Sequence, residues 1–166
     1  MSADPLQVYV AAGSNVAPVE SLIRALAALR ERFPDLAVSP AYQNAAVGFE
    51  GDDFINLVVG FTTRLPLASL LPELHAVEAL CGRGRDEPKW AKRRMDLDVL
   101  LYGDLVGEFP GAKLPRPDLV KRAFMLGPLA DVAPQVRHPT LGLTIGELWA
   151  RFDRAAHPMH RVALPQ

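Results

Sequence analysis

Residues 92–103 read KRRMDLDVLLYG. The aliphatic run from Met95 to Tyr102 has the composition of a strand and stops at Gly103. Side chains alternate faces along a strand, so Asp96 and Asp98 point the same way, their Cα atoms about 6.6–7 Å apart. Met95, Leu97, Val99 and Leu101 then form the opposite row, turned to a core. Two carboxylates held side by side repel one another unless a cation lies between or beside them. Read alone, the pair fits a hard divalent ion such as Mg²⁺, which takes oxygen ligands and completes its octahedron with water and phosphate. Two acids paired with arginines at a sheet edge is the plainer reading of the pair by itself.

Upstream, QVYVAA (7–12) is rich in β-formers and ends at the turn residues Gly13, Ser14 and Asn15. Leu22, Ile23, Leu26, Leu29 and Phe33 recur at helical spacing between Pro18 and Phe33, and Pro34 ends that helix. LAVSPAY (36–42) is a weaker strand, its Pro40 suited to an edge or a bulge. FINLVVGFTT (54–63) is a strand, and a helix follows from about Pro66 to Leu80 with Pro72 inside it. Strand, helix, strand, strand, helix, strand is the order of a ferredoxin-like α+β core, an antiparallel sheet with helices on one face. FMLGPLADVAP (124–134) and TIGELWARF (144–152) are short helices in a C-terminal extension. Residues 1–166 read as one domain and are expected to be a monomer.

Composition sets limits on partners. With 49% hydrophobic and 22% charged residues and a net charge of −1, the chain has no global field built for nucleic acid or membrane. The expected partners are small molecules met by a local patch. Cys81 is the single cysteine, so no disulfide forms within these residues; it reads as a packing residue. No signal-like N-terminus and no apolar run of ~20 residues is present, and the expectation is a cytoplasmic protein. His138, His157 and His160 read as surface residues of a Pro-rich tail, and HPMH (157–160) as a weak metal grip at most.

The local patch precedes the aspartates. Residues 81–94, CGRGRDEPKWAKRR, carry six basic side chains against Asp86 and Glu87. Arginine grips phosphate oxygens in bidentate fashion, and Trp90 offers a flat face to a planar ring. Cations leading directly into paired acids suit a metal–nucleotide polyphosphate. A solvated basic face anchored by Trp90 is the plainer reading, and RNA binding a third.

VYVAAGSN (8–15), FINLVVGF (54–61), VEALCGRGR (77–85), KWAKRRMDLDVLLYG (89–103) and LVKRAFMLGPLADVAP (119–134) together resemble the 6-hydroxymethyl-7,8-dihydropterin pyrophosphokinases, enzymes of folate biosynthesis. The most specific element is Arg93, two residues, then Asp96-Leu97-Asp98 and a run of aliphatics. The resemblance implies transfer of diphosphate from ATP to the pterin hydroxymethyl group, leaving AMP, with Asp96 and Asp98 holding two Mg²⁺ ions. It implies that Arg83 and Arg93 act in catalysis beside them. Glu78, Arg85, Trp90, Arg93, Lys113, Arg116 and Arg122 match positions that bind ATP. Asn44, Ala45, Val47, Phe54, Asn56, Trp90 and Phe124 match the pterin site. There Phe54 and Phe124 would flank the ring, and Asn56, an amide that both donates and accepts, would bond its polar edge. Gly48 and the stretch AAVGFEGDD (45–53) match a lid. From the residues alone, Glu78 is equally an exposed helix carboxylate and the phenylalanines ordinary core aromatics.

The pattern is broken in four places. Ala91-Lys92 stands for Gly-Pro, Tyr42-Gln43-Asn44-Ala45-Ala46 for Tyr-Arg-Thr-x-Pro, Arg116-Pro117 for His-Pro, and His75 for a glutamine. Arg116 keeps a cation for phosphate, while Asn44 and Ala45 alter the wall expected to meet the pterin. These changes leave open a different hydroxymethyl-pterin, or a diverged pterin or nucleotide binder without turnover. A sugar-nucleotide transferase using Asp-x-Asp and an RNA-binding ferredoxin-like domain are the readings that need no pterin.

Overall fold

The β-formers Val8, Tyr9 and Val10 lead into the small residues Ala11 to Ser14 along Leu6–Ser14, which forms the first strand, β1. The computed structural model describes residues 4–44, 53–81 and 95–164. After β1 come α1 (Pro18–Arg32), β2 (Ala37–Val38), β3 (Ala41–Asn44), β4 (Phe54–Thr63), α2 (Leu67–Leu80) and β5 (Asp96–Tyr102). With β2 and β3 as one interrupted strand, this is the ferredoxin-like βαββαβ core. A hairpin of β6 (Gly107–Phe109) and β7 (Ala112–Leu114), a 3-10 turn at Pro117–Val120, α3 (Ala123–Val132), α4 (Ile145–Arg151) and β8 (His160–Val162) complete the order.

The main sheet is antiparallel in the order β5-β1-β4-β3-β8, with β2 also on β4. One face of it presents Val8, Val10 and Ala12, then Leu57, Val59 and Phe61, then Leu97 and Val99. These pack with Leu22, Leu26 and Leu29 of α1 and Leu70, Leu74 and Val77 of α2. Phe33 and Phe61 stack there with ring centroids 3.9 Å apart. The C-terminal extension covers the other face. Met125, Leu126 and Leu129 of α3 and Ile145 of α4 join Tyr9, Ala11, Val58, Leu100 and Leu101 in a second buried cluster. Thr144 and Glu147 form a reciprocal capping box that starts α4.

Where the backbone breaks pattern, the physical reason is local. Pro40 interrupts the second strand, and Ser39 repairs the gap. Its N–H donates to the Val58 carbonyl at 2.9 Å, and its Oγ accepts from the Val58 N–H at 2.8 Å. Pro72 does not end α2, because it lies on the solvent face and so does Ala68, whose carbonyl it leaves open to water. The β6–β7 turn places Pro110 before Gly111, whose φ of +87° is the conformation a type II turn asks of its third residue.

Two expectations change. Leu101 does not continue the row of Leu97 and Val99. Tyr9 pairs with Leu101 and Val10 with Val99, so Leu100 is an inserted bulge residue, and beyond it the strand's parity reverses. Leu101 therefore joins Leu100 under α3, and Tyr102 turns to the α1–α2 side. His138 is buried, not superficial, and its Nδ1 accepts from the backbone of Thr140 and Leu141 at 3.3 Å. Burial holds its pKa below the usual 6.5. His157 and His160 are exposed, His160 opening the edge strand β8. Among the described residues no helix is long and apolar enough to cross a membrane.

Candidate active site

Strand alternation decides what the α3 face carries at each end. Under α3 it is apolar, through Tyr9, Ala11 and Val58. Towards the other end of the same strands the register aligns Gly13 with both Asn56 and Asp96, Ala11 with Asp98, and Phe54 with Asn44. The same face thus passes from core to polar cleft within three residues of each strand.

A cavity of about 270 Å³ opens there. Its floor is Ala11 and Gly13, with Asn44, Phe54 and Asn56 on one side and Asp96 and Asp98 on the other. Phe124 and Met125 of α3, with Asp118 and Arg122 just before it, close the far wall. Asn56 is buried, and its Nδ2 donates to Asn44 Oδ1. Gly13 makes this possible. A Cβ on it would stand 2.4 Å from Asn56 Oδ1, closer than atoms approach. Behind the wall Tyr42 donates its hydroxyl to Asp131 of α3, and Arg161 of β8 lies 5.9 Å from the centre of its ring. Burial first, and then the Asp131 carboxylate, raises the Tyr42 hydroxyl above its ordinary pKa, so it remains a donor that ties β3 to α3.

A second cavity, about 210 Å³, lies beyond the edge strand β5 and shares Asp96 and Asp98 with the first. Leu71, Leu74, His75 and Glu78 of α2 line it, as do Gly111 and Ala112 of the hairpin and Arg116. Glu78 is buried here rather than exposed on its helix. Its Oε2 accepts from the N–H of Leu97 at 2.8 Å, the backbone group between the two aspartates. Arg116 is held by its own N–H, which donates to the carbonyl of the bulge residue Leu100 at 3.0 Å. Its guanidinium lies 3.7 Å from Asp98 Oδ1, while its buried Nε has no hydrogen-bond partner. That idle donor, beside a cavity, suits an incoming anion.

The fold therefore gathers Asn44, Phe54, Asn56, Asp96, Asp98, Arg122 and Phe124 at the first cavity and Glu78 and Arg116 at the second. Lys113 stands apart on β7, exposed and 3.3 Å from Glu108 across the hairpin. Arg83, Arg85, Trp90 and Arg93, like Ala45, Val47 and Gly48, lie outside the described residues. Gly13, Asp118 and Met125 are lining residues that the sequence reading passed over. Asp118 stands among cations in RPDLVKR (116–122) and carries no spacing signal of its own. The first cavity gathers three carboxylates, Asp96, Asp98 and Asp118, beside the Arg122 guanidinium, and carboxylate oxygens are the donors a hard divalent cation takes. No cluster of three or more His, Cys, Asp or Glu side chains suited to holding a metal occurs among the described residues. Two oxygen-donor side chains with room for water and phosphate fit Mg²⁺ better than a fully protein-ligated ion.

Comparison with known proteins places the chain by family and by fold. The family model described as 7,8-dihydro-6-hydroxymethylpterin-pyrophosphokinase matches residues 9–134. A Pseudomonas aeruginosa protein named 2-amino-4-hydroxy-6-hydroxymethyldihydropteridine pyrophosphokinase is 41% identical over 137 residues, 80% of this chain and 84% of its own. Its Haemophilus influenzae namesake is 33% identical over 158 residues, 93% of this chain and 96% of its own. Among solved structures, Plasmodium falciparum HPPK-DHPS matches 89% of this chain with a TM-score of 0.67 at 13% identity. The match spans 44% of that longer protein and speaks for the fold alone.

Proposed function

The chain belongs to the 7,8-dihydro-6-hydroxymethylpterin-pyrophosphokinase family, and on that premise we propose that it is one pyrophosphokinase domain moving diphosphate from ATP to 6-hydroxymethyl-7,8-dihydropterin. The observation that carries this reading is the shared wall, since Asp96 and Asp98 line both cavities. A reaction between two substrates needs such a meeting point. The first cavity suits the pterin, with Phe54 and Phe124 to flank its ring and Asn56 to bond its edge. The second suits the nucleotide, with Glu78 at its back and Arg116 at its rim.

In this assignment the hydroxymethyl oxygen attacks the β-phosphorus of ATP and gives up its proton. The bond from that phosphorus to the α,β-bridging oxygen breaks, and AMP leaves. Asp96 and Asp98 would hold Mg²⁺, two ions in our reading, which when bound neutralises phosphate charge and lowers the pKa of the attacking hydroxyl. Arg116 and Arg122 would steady phosphate oxygens from opposite sides of the aspartate pair. Glu78 keeps β5 in place through Leu97, so the carboxylates do not drift as charge moves between them.

The test is AMP release from ATP and Mg²⁺, with and without the pterin. Strong pterin-dependent AMP formation that disappears on chelation is expected. ATP binding without AMP formation would leave the fold and the nucleotide cavity but remove the acceptor.

A further inference from the structure

An asparagine amide is nearly symmetric in shape, and half a turn about its last bond exchanges donor and acceptor at little steric cost. An asparagine left to itself in a cavity can therefore pair with either of two opposite ligand edges. We propose that Asn44 is a positioning residue that holds the Asn56 amide in one orientation, so that the first cavity reads only one donor–acceptor pattern of a pteridine. This rests on the pterin reading above.

One end of the Asn56 amide is hydrogen-bonded and the other is closely packed. Its Nδ2 donates to Asn44 Oδ1, and its Oδ1 lies over Gly13, in space that any Cβ would take. Turning Asn56 alone would set two carbonyl oxygens against each other. Reversal then requires both amides to turn at once. Asn44 is itself carried by β3, in register with Phe54, and β3 is tied to α3 through Tyr42 and Asp131. The strand, not the ligand, therefore sets where Asn44 stands against Asn56. A buried site with fixed polar groups rejects a ligand of the opposite pattern far more strongly than it rejects a change in size.

The probes are 6-hydroxymethylpterin, with its 2-amino-4-oxo edge, and its 2,4-diamino counterpart, which reverses donor and acceptor at positions 3 and 4. Affinities are measured by fluorescence titration, with ATP affinity and thermal midpoint as controls. The wild type is expected to favour the oxo compound by about 100-fold or more. In Asn44→Ala the ratio should fall to within about fivefold with ATP affinity unchanged, and Asn44→Asp, which can only accept, should keep it. Asn44→Leu, similar in size and without an acceptor, decides the matter if the alanine variant folds poorly. A ratio that survives in both apolar variants overturns the lock and leaves the substrate reading standing. A wild type that binds the two compounds equally overturns the lock as well, and one that binds neither takes the pterin reading down with it.

Discussion

Truncating Asp98 removes one of the two carboxylates common to both cavities while disturbing little packing, since its side chain is 34% exposed. Asp98→Ala is expected to lower AMP formation by at least about 100-fold, the scale of losing one electrostatic contact to a reacting phosphate. Its circular dichroism and thermal midpoint should stay near those of the wild type. Turnover at the normal rate would take the carboxylate out of the chemistry. Arg116→Ala removes the guanidinium 3.7 Å from Asp98 and the idle Nε donor. KM for ATP should rise about tenfold, as expected for a charge-assisted contact of ~1.5 kcal/mol, with KM for the pterin little changed. At this scale much was legible beforehand. Alternation put Asp96 with Asp98, and Phe54 with Asn56, on common faces, and the structure brings all four to one cavity. Glu78 was legible only as a choice, because its partner is a backbone N–H on a strand distant in sequence. Asn44 could be named as a wall residue, but its bond to Asn56 follows from strand register, which sequence does not print.

Elements meet at the site through Glu78, which joins α2 to β5. Glu78→Ala strands the buried N–H of Leu97, at a cost of about 1–3 kcal/mol, whereas Glu78→Gln retains an acceptor and should recover most of it. For a chain of this size each kcal/mol lowers the thermal midpoint by about 2–4 °C, so a thermal scan separates the two variants. If the alanine and glutamine forms melt together, the bond does not support the strand. The long elements β1, α1, β4, α2 and β5 were readable because each carries enough apolar residues to show its period. The hairpin of β6 and β7 was not. Its strands have three residues each, too few to alternate, and Pro110 and Gly111 dominate the composition. The bulge at Leu100 was equally hidden, since one aliphatic among four gives no sign of which is inserted.

At the scale of the whole molecule, the sheet is buried from both sides, and the extension whose packing sequence left undecided is the second layer. His138 lies in that layer. Its folded pKa sits below 6.5, so the unfolded chain takes up a proton more readily than the folded one. The stability it supports is complete above about pH 6.5 and declines as the pH falls below that value. A series of melts from neutral to mildly acidic pH should show this decline, and His138→Gln should flatten it. An unchanged slope in the variant would assign the acid sensitivity elsewhere.

The strand that bears the aspartates is also the last in its sheet. Such a border invites a strand from another molecule, because its outward amides and carbonyls are ready to be paired. Here the Leu97 amide is taken by Glu78 and the Leu100 carbonyl by Arg116. The contacts that steady the cleft therefore also close the border to a neighbouring chain. Light scattering on concentrated Glu78→Ala should report clustering of molecules well below its melting temperature, where the wild type stays dispersed. An enzyme that leaves this flank open for a nucleotide, as proposed above, would otherwise offer the same opening to its own copies.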